Sequence, residues 1–154
     1  MNYTIRDAIV ADGEAMLALM PRLADFDVPA SRNPEHLYGD DAKLLQRWLD
    51  GNEECLVQVA EDDQQKIVGF TLVRLRPELL SSEPSAHLEA ITVSESAEGK
   101  GIAKALLDAA EQSARDNGAL TMTLHVFASN KRARAFYDRS GYDGELLRYI
   151  KEIS

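Results

Sequence analysis

The chain has 154 residues, 45% of them hydrophobic and 28% charged, which fits one domain with a buried core. Its 17 basic and 26 acidic side chains give a net charge of −9, which argues against a nucleic-acid partner, because such proteins need a basic surface. The single cysteine, Cys55, excludes an internal disulfide and a multi-thiol metal site. With no signal-like start and no apolar run of about 18 residues, we expect a cytoplasmic single domain over residues 1–154 and no membrane partner.

Apolar spacing in the first half of the chain predicts two helices and three strands. In chain order these are a strand at 3–7, a helix at 15–23, a loop at 25–41, a second helix at 44–49, and strands at 55–61 and 66–76. Asp12 is expected to cap the first helix, and the polar residues between the last two strands predict a hairpin turn.

The second half alternates strands and helices, which is typical of the mixed α/β class. It predicts a loop at 76–85, a strand at 86–93, a helix at 101–117, a strand at 120–127, a helix at 130–140 and a last strand at 146–153, with a further short strand near Tyr142 left open. There is no internal repeat and no composition break that would divide the chain into domains.

Several common kinds of site do not fit the sequence. His36, His87 and His125 show no HxH or HExxH spacing, so no metal is expected. The segment GKGIAK lacks the Lys-Ser/Thr end of a Walker loop and the third glycine of a dinucleotide fingerprint. Cys55 lies in an apolar strand, where cysteine usually acts as a small hydrophobe rather than a nucleophile.

The segment VSESAEGKGIAKALL predicts a strand, a turn and a helix. Gly99 and Gly101 allow a ligand to approach the backbone closely, and the free amides at the following helix start form an anion site. Lys100 and Lys104 add positive charge. The alternative is a glycine-rich turn that only starts a helix.

The segment NKRARAFYDRSGY lies about thirty residues further on. Asn130 is placed to cap a helix that carries Tyr137 and ends at Gly141. A tyrosine hydroxyl beside a cofactor strand is suited to proton donation, although ordinary packing of an amphipathic helix also explains it.

Taken together, V-x-x-x-x-x-G-x-G-I-A and N-x-x-A-x-x-F-Y-x-x-x-G-Y resemble the motifs of the GNAT superfamily of acetyl-CoA-dependent N-acetyltransferases, from about Leu88 to Tyr142. The resemblance implies an α/β fold with a central, splayed, mixed β-sheet flanked by helices. Acetyl-CoA would lie in the gap between the strands at 88–93 and 120–127, with no metal. Tyr137 would be the general acid for the departing thiolate. The implied cofactor contacts are Ile91, Thr92, Val93, Gly99, Lys100, Gly101, Ile102, Ala103, Lys104, Asn130 and Tyr137.

Glu98 departs from the family pattern, which usually has Arg or Gln at this position of the loop. A carboxylate near a pyrophosphate is unfavourable because the two negative charges repel. We therefore expect the Glu98 side chain to turn to solvent, and the substitution Glu98→Arg to tighten acetyl-CoA binding.

The strand at 86–93 also carries two candidate bases. Period-two alternation predicts that His87, Glu89, Ile91 and Val93 share one face of the strand. Several amine-acetylating members of the family have a glutamate at the position of Glu89, which makes it the first candidate for a base or substrate anchor, with His87 second. A solvated carboxylate or a structural ion pair are the alternatives for Glu89.

The acceptor is expected to bind beside the first helices. Phe26 and Tyr38 lie among several aspartates in residues 25–41, and acidic and aromatic groups together can hold an ammonium. A small-molecule primary amine is the first expectation for the acceptor, and Glu89 would contribute to its binding. The alternatives are a protein or peptide amine, a non-catalytic acyl-CoA-binding domain, and a nucleotide-phosphate binder. The resemblance leaves a homodimer open.

Overall fold

The computed structural model describes residues 2–154, in which five strands and four α-helices are joined by loops and short 3₁₀ turns. The strands are β1 (Tyr3–Asp7), β2 (Leu56–Asp62), β3 (Ile67–Pro77), β4 (Pro84–Val93) and β5 (Thr121–Leu124). The helices are α1 (Gly13–Leu19), α2 (Gly39–Leu49), α3 (Ile102–Asp116) and α4 (Lys131–Arg139). No helix among these residues is long and apolar enough to cross a membrane.

The five strands form one mixed sheet in the order β1-β2-β3-β4-β5. The first four pair antiparallel, and β4 pairs with β5 in parallel. The parallel pairing begins at Ser85 and Thr121 and ends at Leu88 and Leu124, whereas β4 continues to Val93. The sheet is therefore splayed between β4 and β5, as the sequence predicted.

Both faces of the sheet are covered by helices, because the central strands carry apolar side chains on both sides. On one face, α1 and α2 pack on a core that includes the fully buried Phe70 and Leu72. On the other face, α3 contributes the fully buried Leu106 and Leu107. This double cover fixes the position of β4 and of the loop that leads from it to α3.

A β-bulge lies in the middle of β4. Leu72 pairs with Ala90 and the next residue, Val73, pairs with Leu88, so that Glu89 has no partner on β3. An extra residue of this kind changes the alternation of side chains after it. The bulge therefore lies at the first candidate base, where the two strands β4 and β5 begin to separate.

The bulge overturns the predicted alternation along β4. Leu88 and Ile91, three residues apart, both pack on the α3 face, whereas Ala90 packs on the α1–α2 face. The prediction of one shared face was therefore wrong for the four residues His87, Glu89, Ile91 and Val93.

Two predicted boundaries in the first half also differ from the structure. The segment 25–41 contains a 3₁₀ helix at Pro34–Leu37, and α2 begins at Gly39 rather than near residue 44. The Asp12 side chain does not cap α1, because it forms an ion pair with Arg6 at 2.8 Å. The Asp12 carboxylate thus accepts hydrogen bonds from the Arg6 guanidinium and from the Ile9 amide rather than from the first amides of α1.

In the second half, the loop predicted at 76–85 is shorter, because Pro77 and Pro84 themselves pair across β3 and β4. The strand predicted at 120–127 is limited to β5. The strand predicted at 146–153 and the short one left open near Tyr142 do not form, and residues 143–154 are exposed without regular structure. A strand needs a hydrogen-bonded neighbour, and no neighbouring strand lies beside this segment in residues 2–154.

Candidate active site

The loop between β4 and α3 presents a row of backbone amides. Gly99 and Gly101 have φ values of 75° and 78°, a left-handed conformation that glycine adopts without strain. Within the described chain, the amides of Gly99, Lys100 and Gly101 donate to no backbone carbonyl. The first amides of α3 follow directly, and helix starts leave such amides unpaired. The loop has the geometry of a phosphate-binding site.

The side chains of this loop offer fewer groups for binding an anion than its backbone does. Ile102 is fully buried in the core beneath α3, so its amide alone faces the loop. Lys104 forms an ion pair with Asp108 one turn along the helix, and both side chains are about half exposed. An exposed pair of this kind is weak, so the ammonium can exchange partners at little cost. Lys100 is exposed.

Glu98 lies against two arginines instead of turning to solvent, contrary to the prediction from the sequence. Its carboxylate pairs with Arg22, from the 3₁₀ helix after α1, and lies 3.4 Å from Arg132 on α4. These hydrogen bonds, chiefly the one from Arg22, hold the pKa of Glu98 below its usual value. The two guanidinium groups offset the charge that would otherwise repel a pyrophosphate.

Arg22 also connects this cluster to β4. Its Nε donates to the Val93 carbonyl at 3.2 Å, just before the loop begins. The Val93 carbonyl is therefore already paired, which leaves the backbone groups of Ile91 and the Val93 amide, on the side of β4 away from β3, as the positions for an added strand-like ligand. Thr92 itself is buried in the sheet.

His87 is buried beside β5. Its Nδ1 lies 2.7 Å from the Thr123 hydroxyl, and its ring centroid is 4.7 Å from that of His125. Burial, with the nearby charges of Arg76 and His125, lowers the pKa of His87 to about 4. The imidazole is therefore neutral at pH 7 and has little tendency to take up a proton.

Glu89 is mostly buried, with 16% of its side chain exposed, and its Oε1 has no hydrogen-bond partner among residues 2–154. The nearest cationic atom is a guanidinium nitrogen of Arg76, at 3.9 Å. The half-buried Asp41 at the start of α2 faces the same region, and burial together with the charge of Glu89 raises the pKa of Asp41 to about 7. Asp41 can therefore hold a proton near neutral pH.

The second sequence motif forms α4. The Asn130 side chain accepts a hydrogen bond from the Ala133 amide at 3.2 Å and so caps the helix, which leaves its amide NH₂ available. Tyr137 is half-buried on the α3 side of the sheet, where its ring meets that of Tyr142. Burial raises the pKa of Tyr137 to about 12, so that the hydroxyl is protonated at neutral pH.

The predicted acceptor residues lie on the α1–α2 side. The Phe26 ring contacts the Phe127 ring, with centroids 5.6 Å apart, and the Ser129 hydroxyl donates to the Asp27 carbonyl. The segment after α1 is thereby attached to the segment after β5, across the opening of the gap. Tyr38 is half-buried against the α1–α2 core directly before α2.

Cys55 lies at the start of β2, where burial raises the pKa of its thiol to about 11. A thiol with such a pKa is a poor nucleophile at neutral pH. No group of three His, Cys, Asp or Glu side chains in residues 2–154 is arranged to hold a metal ion.

The sequence motifs predicted the loop between β4 and α3 and the helix α4 as parts of the site, but did not single out Arg22 and Asp41. Arg22 pairs locally with Asp25, but its partners at this site, Val93 and Glu98, lie 71 and 76 residues away in the chain and leave no local signature. Asp41 was visible as one of several acidic residues before the second helix, but nothing in the sequence distinguished it from its neighbours. Its burial depends on α2 beginning at Gly39, earlier than predicted.

Comparison with known proteins agrees with this geometry. The model of the acetyltransferase (GNAT) family matches residues 20–142. An uncharacterized N-acetyltransferase, YhfO of Bacillus subtilis, is 30% identical over 139 residues, which is 90% of this chain and 89% of that protein. A putative acetyl transferase from Pyrococcus furiosus superposes with a TM-score of 0.80 at 26% identity, over 99% of this chain and 100% of the other.

The fold is also that of a solved complex, AAC(6')-Iy with the bisubstrate analog CoA-S-monomethyl-acetylneamine. That structure has a TM-score of 0.71 at 22% identity, with 99% of this chain and 100% of the other covered. The splayed sheet, the glycine-rich loop before α3 and these matches lead to one assignment. The chain belongs to the acetyltransferase (GNAT) family and is an N-acetyltransferase.

Proposed function

We propose that the protein transfers the acetyl group of acetyl-CoA to the primary amine of a small molecule, by direct attack of the amine on the thioester. The observation that carries this proposal is the stretch of β4 from Glu89 to Val93, which has no partner on its β5 side and leads directly into a loop of unpartnered amides. An extended thioester arm and a pyrophosphate are the two parts of one ligand that fit these adjacent features.

In this proposal, the backbone of residues 91–93 pairs with the pantetheine arm as another strand would. The amides of Gly99 to Ala103 bind the pyrophosphate, with Lys100 and Lys104 providing positive charge at the rim. Asn130 meets the cofactor with its free amide NH₂.

The attacking nitrogen must be neutral, so a base has to remove a proton from the ammonium form of the acceptor. Glu89 with Asp41 is the proposed base, because the pair is buried and Asp41 has a pKa of about 7. The proton would pass from the ammonium, directly or through a water, to a carboxylate oxygen. His87 is less suited to this role, since its burial opposes a positive charge on the ring.

As the amine attacks, negative charge develops on the thioester oxygen and then on the sulfur that leaves. A backbone amide of β4 beside the bulge is the proposed donor to the oxygen, and Tyr137 is the proposed donor to the sulfur. The pKa of Tyr137 is about 12 and that of a thiol is about 8.5, so transfer of the phenol proton to the thiolate is unfavourable at equilibrium. Tyr137 therefore acts mainly by a hydrogen bond to the sulfur, and full proton transfer requires that its hydroxyl regain a proton at once.

The acceptor is proposed to enter from the α1–α2 side, where Tyr38 packs on the core before α2 and Phe26 packs on Phe127. A ring face and a carboxylate both attract an ammonium, and the net charge of −9 favours a cationic substrate over an anionic one. The AAC(6')-Iy structure holds the bisubstrate analog CoA-S-monomethyl-acetylneamine in the same fold. A protein or peptide amine and a non-catalytic acyl-CoA-binding domain are the alternatives.

The first experiment is a calorimetric titration with acetyl-CoA, with desulfo-CoA and ATP as controls, followed by a screen of amines for release of the CoA thiol. Selective acetyl-CoA binding and thiol release with small amines are expected. Release with peptides alone would favour the protein-amine alternative, and preference for ATP over acetyl-CoA would contradict the cofactor assignment.

Two substitutions then test the proposed roles. Glu89→Gln is expected to lower kcat by about 10²–10⁴ with acetyl-CoA binding kept, whereas Glu14→Gln, at an exposed carboxylate of α1, changes neither. Tyr137→Phe is expected to reduce turnover without loss of acetyl-CoA binding, with the exposed Tyr149→Phe as its control. Normal turnover in either active-site variant would remove that residue from the mechanism.

A further inference from the structure

The α1–α2 face of the sheet carries polar side chains on the Ser85 side of the bulge in β4. Ala86 and Leu88 pack on the α3 core. The residues that alternate with them, Ser85 and His87, therefore point to the α1–α2 face. Both side chains are buried and lie 2.7 Å from threonine hydroxyls of β5. This part of the face therefore offers polar groups where the rest of the face has an apolar core.

Two arginines of β3, Arg74 and Arg76, extend over the same part of the face. Burial is the first cause of the low pKa of His87, and the charges of both arginines add to it, so the guanidinium groups lie near its ring. Arg74 is paired, with a guanidinium nitrogen 3.1 Å from Glu53. Arg76 is 45% exposed, and its ion-pair contact, Glu89 at 3.9 Å, is too long for a hydrogen bond. Of the two arginines, Arg76 is therefore the one with donors to spare.

Glu89 and Arg76 have opposite charges but do not satisfy each other. Only 16% of the Glu89 side chain is exposed, and its Oε1 has no hydrogen-bond partner in the described chain. A guanidinium presents parallel N–H donors that match the two oxygens of a carboxylate. A ligand with an ammonium and a carboxylate a few bonds apart can satisfy Glu89 and Arg76 at once.

On the basis of the acetyl transfer proposed above, we infer that the acceptor is an amine with a carboxylate beside its amino group, as in an amino acid. Arg76 binds the carboxylate, and the amine lies against Glu89, the proposed base. Such a ligand is neutral overall, so the net charge of −9 does not oppose its approach. A phosphate monoester is less suitable, because its second negative charge would lie close to Glu89.

The test compares the standard amino acids with their carboxamides, which have nearly the same size but no carboxylate, and follows release of the CoA thiol. We expect kcat/KM to be about tenfold or more higher for the acid than for its amide. Equal values, a preference for the amides or a preference for O-phosphoethanolamine would overturn this inference and leave acetyl transfer to amines in place. Thiol release with no amine of any kind would overturn the proposed function as well.

Substitution of Arg76 tests the contact itself. Arg76→Gln is expected to raise KM for the amino acid about 10–100-fold and to leave the kinetics with its carboxamide nearly unchanged. Arg76→Lys, which keeps the charge but not the paired donors, is expected to recover part of the loss. The control Arg115→Gln, at an exposed arginine of α3 on the other face of the sheet, is expected to change neither substrate.

The paired substrates separate binding of the carboxylate from an indirect effect of Arg76. Removal of Arg76 alters the surroundings of Glu89 equally for the acid and for the amide, so an equal loss with both would show that Arg76 acts through Glu89 and overturn the inference. An unchanged KM for the amino acid in Arg76→Gln would overturn it too. Acetyl-CoA binding by each variant checks that it is folded.

Discussion

Gly99→Ala tests whether the phosphate loop must be preformed. Gly99 has a φ of 75°, and a Cβ added there meets no atom within 4 Å, so the substitution introduces conformational strain without a clash. A left-handed conformation costs an L-residue about 1–2 kcal/mol. If the free loop relaxes and must return to this conformation to bind, the acetyl-CoA affinity falls by about 5–30-fold, since 1.4 kcal/mol is a factor of ten. Calorimetric titration measures this loss directly.

Gly118→Ala is the matched control. Gly118 has a φ of 91°, also with no atom within 4 Å of an added Cβ, but it lies after the far end of α3. It is expected to lower the free energy of unfolding while acetyl-CoA affinity stays the same. Gly99→Asn is expected to bind better than Gly99→Ala, because asparagine tolerates this conformation. Unchanged affinity in Gly99→Ala, or an equal loss in Gly118→Ala, would contradict the prediction that the free loop of the variant relaxes and must return to the left-handed conformation at residue 99 to bind.

Three further predictions follow from charges and packing. Glu98→Gln is expected to tighten acetyl-CoA binding about fivefold, because removal of a carboxylate near the pyrophosphate gains about 1 kcal/mol. Glu98→Arg is expected to gain less, because the new guanidinium would face Arg22 and Arg132. Weaker acetyl-CoA binding by the Gln variant would contradict this prediction. Asp41 has a raised pKa in the folded state, so the folded protein binds the extra proton between about pH 4 and pH 7 and loses stability as the pH rises through that range. In urea unfolding, Asp41→Asn should therefore stabilise the protein more at pH 8 than at pH 5, and an equal effect at both would count against the raised pKa. Phe70→Ala should lower the free energy of unfolding by about 3–5 kcal/mol, because Phe70 is fully buried; a loss below 1 kcal/mol would show that the core rearranges.

Local patterns were sufficient to predict the elements that pack on their own apolar stripe. The buried stripe of α3 and the hairpin of β2 and β3 appear where hydrophobic spacing indicated them. The face assignment along β4 failed because a bulge at Glu89 is a property of two strands in register. The alternation of side chains along β4 alone does not show that β4 has one more residue than the stretch of β3 with which it pairs.

The cluster around Glu98 shows a second limit of sequence reasoning. A carboxylate in a phosphate loop is unfavourable when its neighbours in the chain alone are considered. Arg22 and Arg132, both distant in the chain, compensate for it in the fold. The strand predicted at 146–153 is a related case. Its apolar pattern is typical of a strand, but no strand pairs with it in residues 2–154.

The raised pKa of Cys55 has a practical consequence for measuring turnover. At pH 8, a thiol with a pKa of about 11 is ionised in about one molecule in a thousand, and the thiolate is the form that attacks disulfide reagents. Cys55 is the single cysteine of the chain. Free CoA, with an ordinary thiol, therefore reacts far ahead of the enzyme, and a colorimetric thiol reagent can follow acetyl transfer continuously in the unmodified protein.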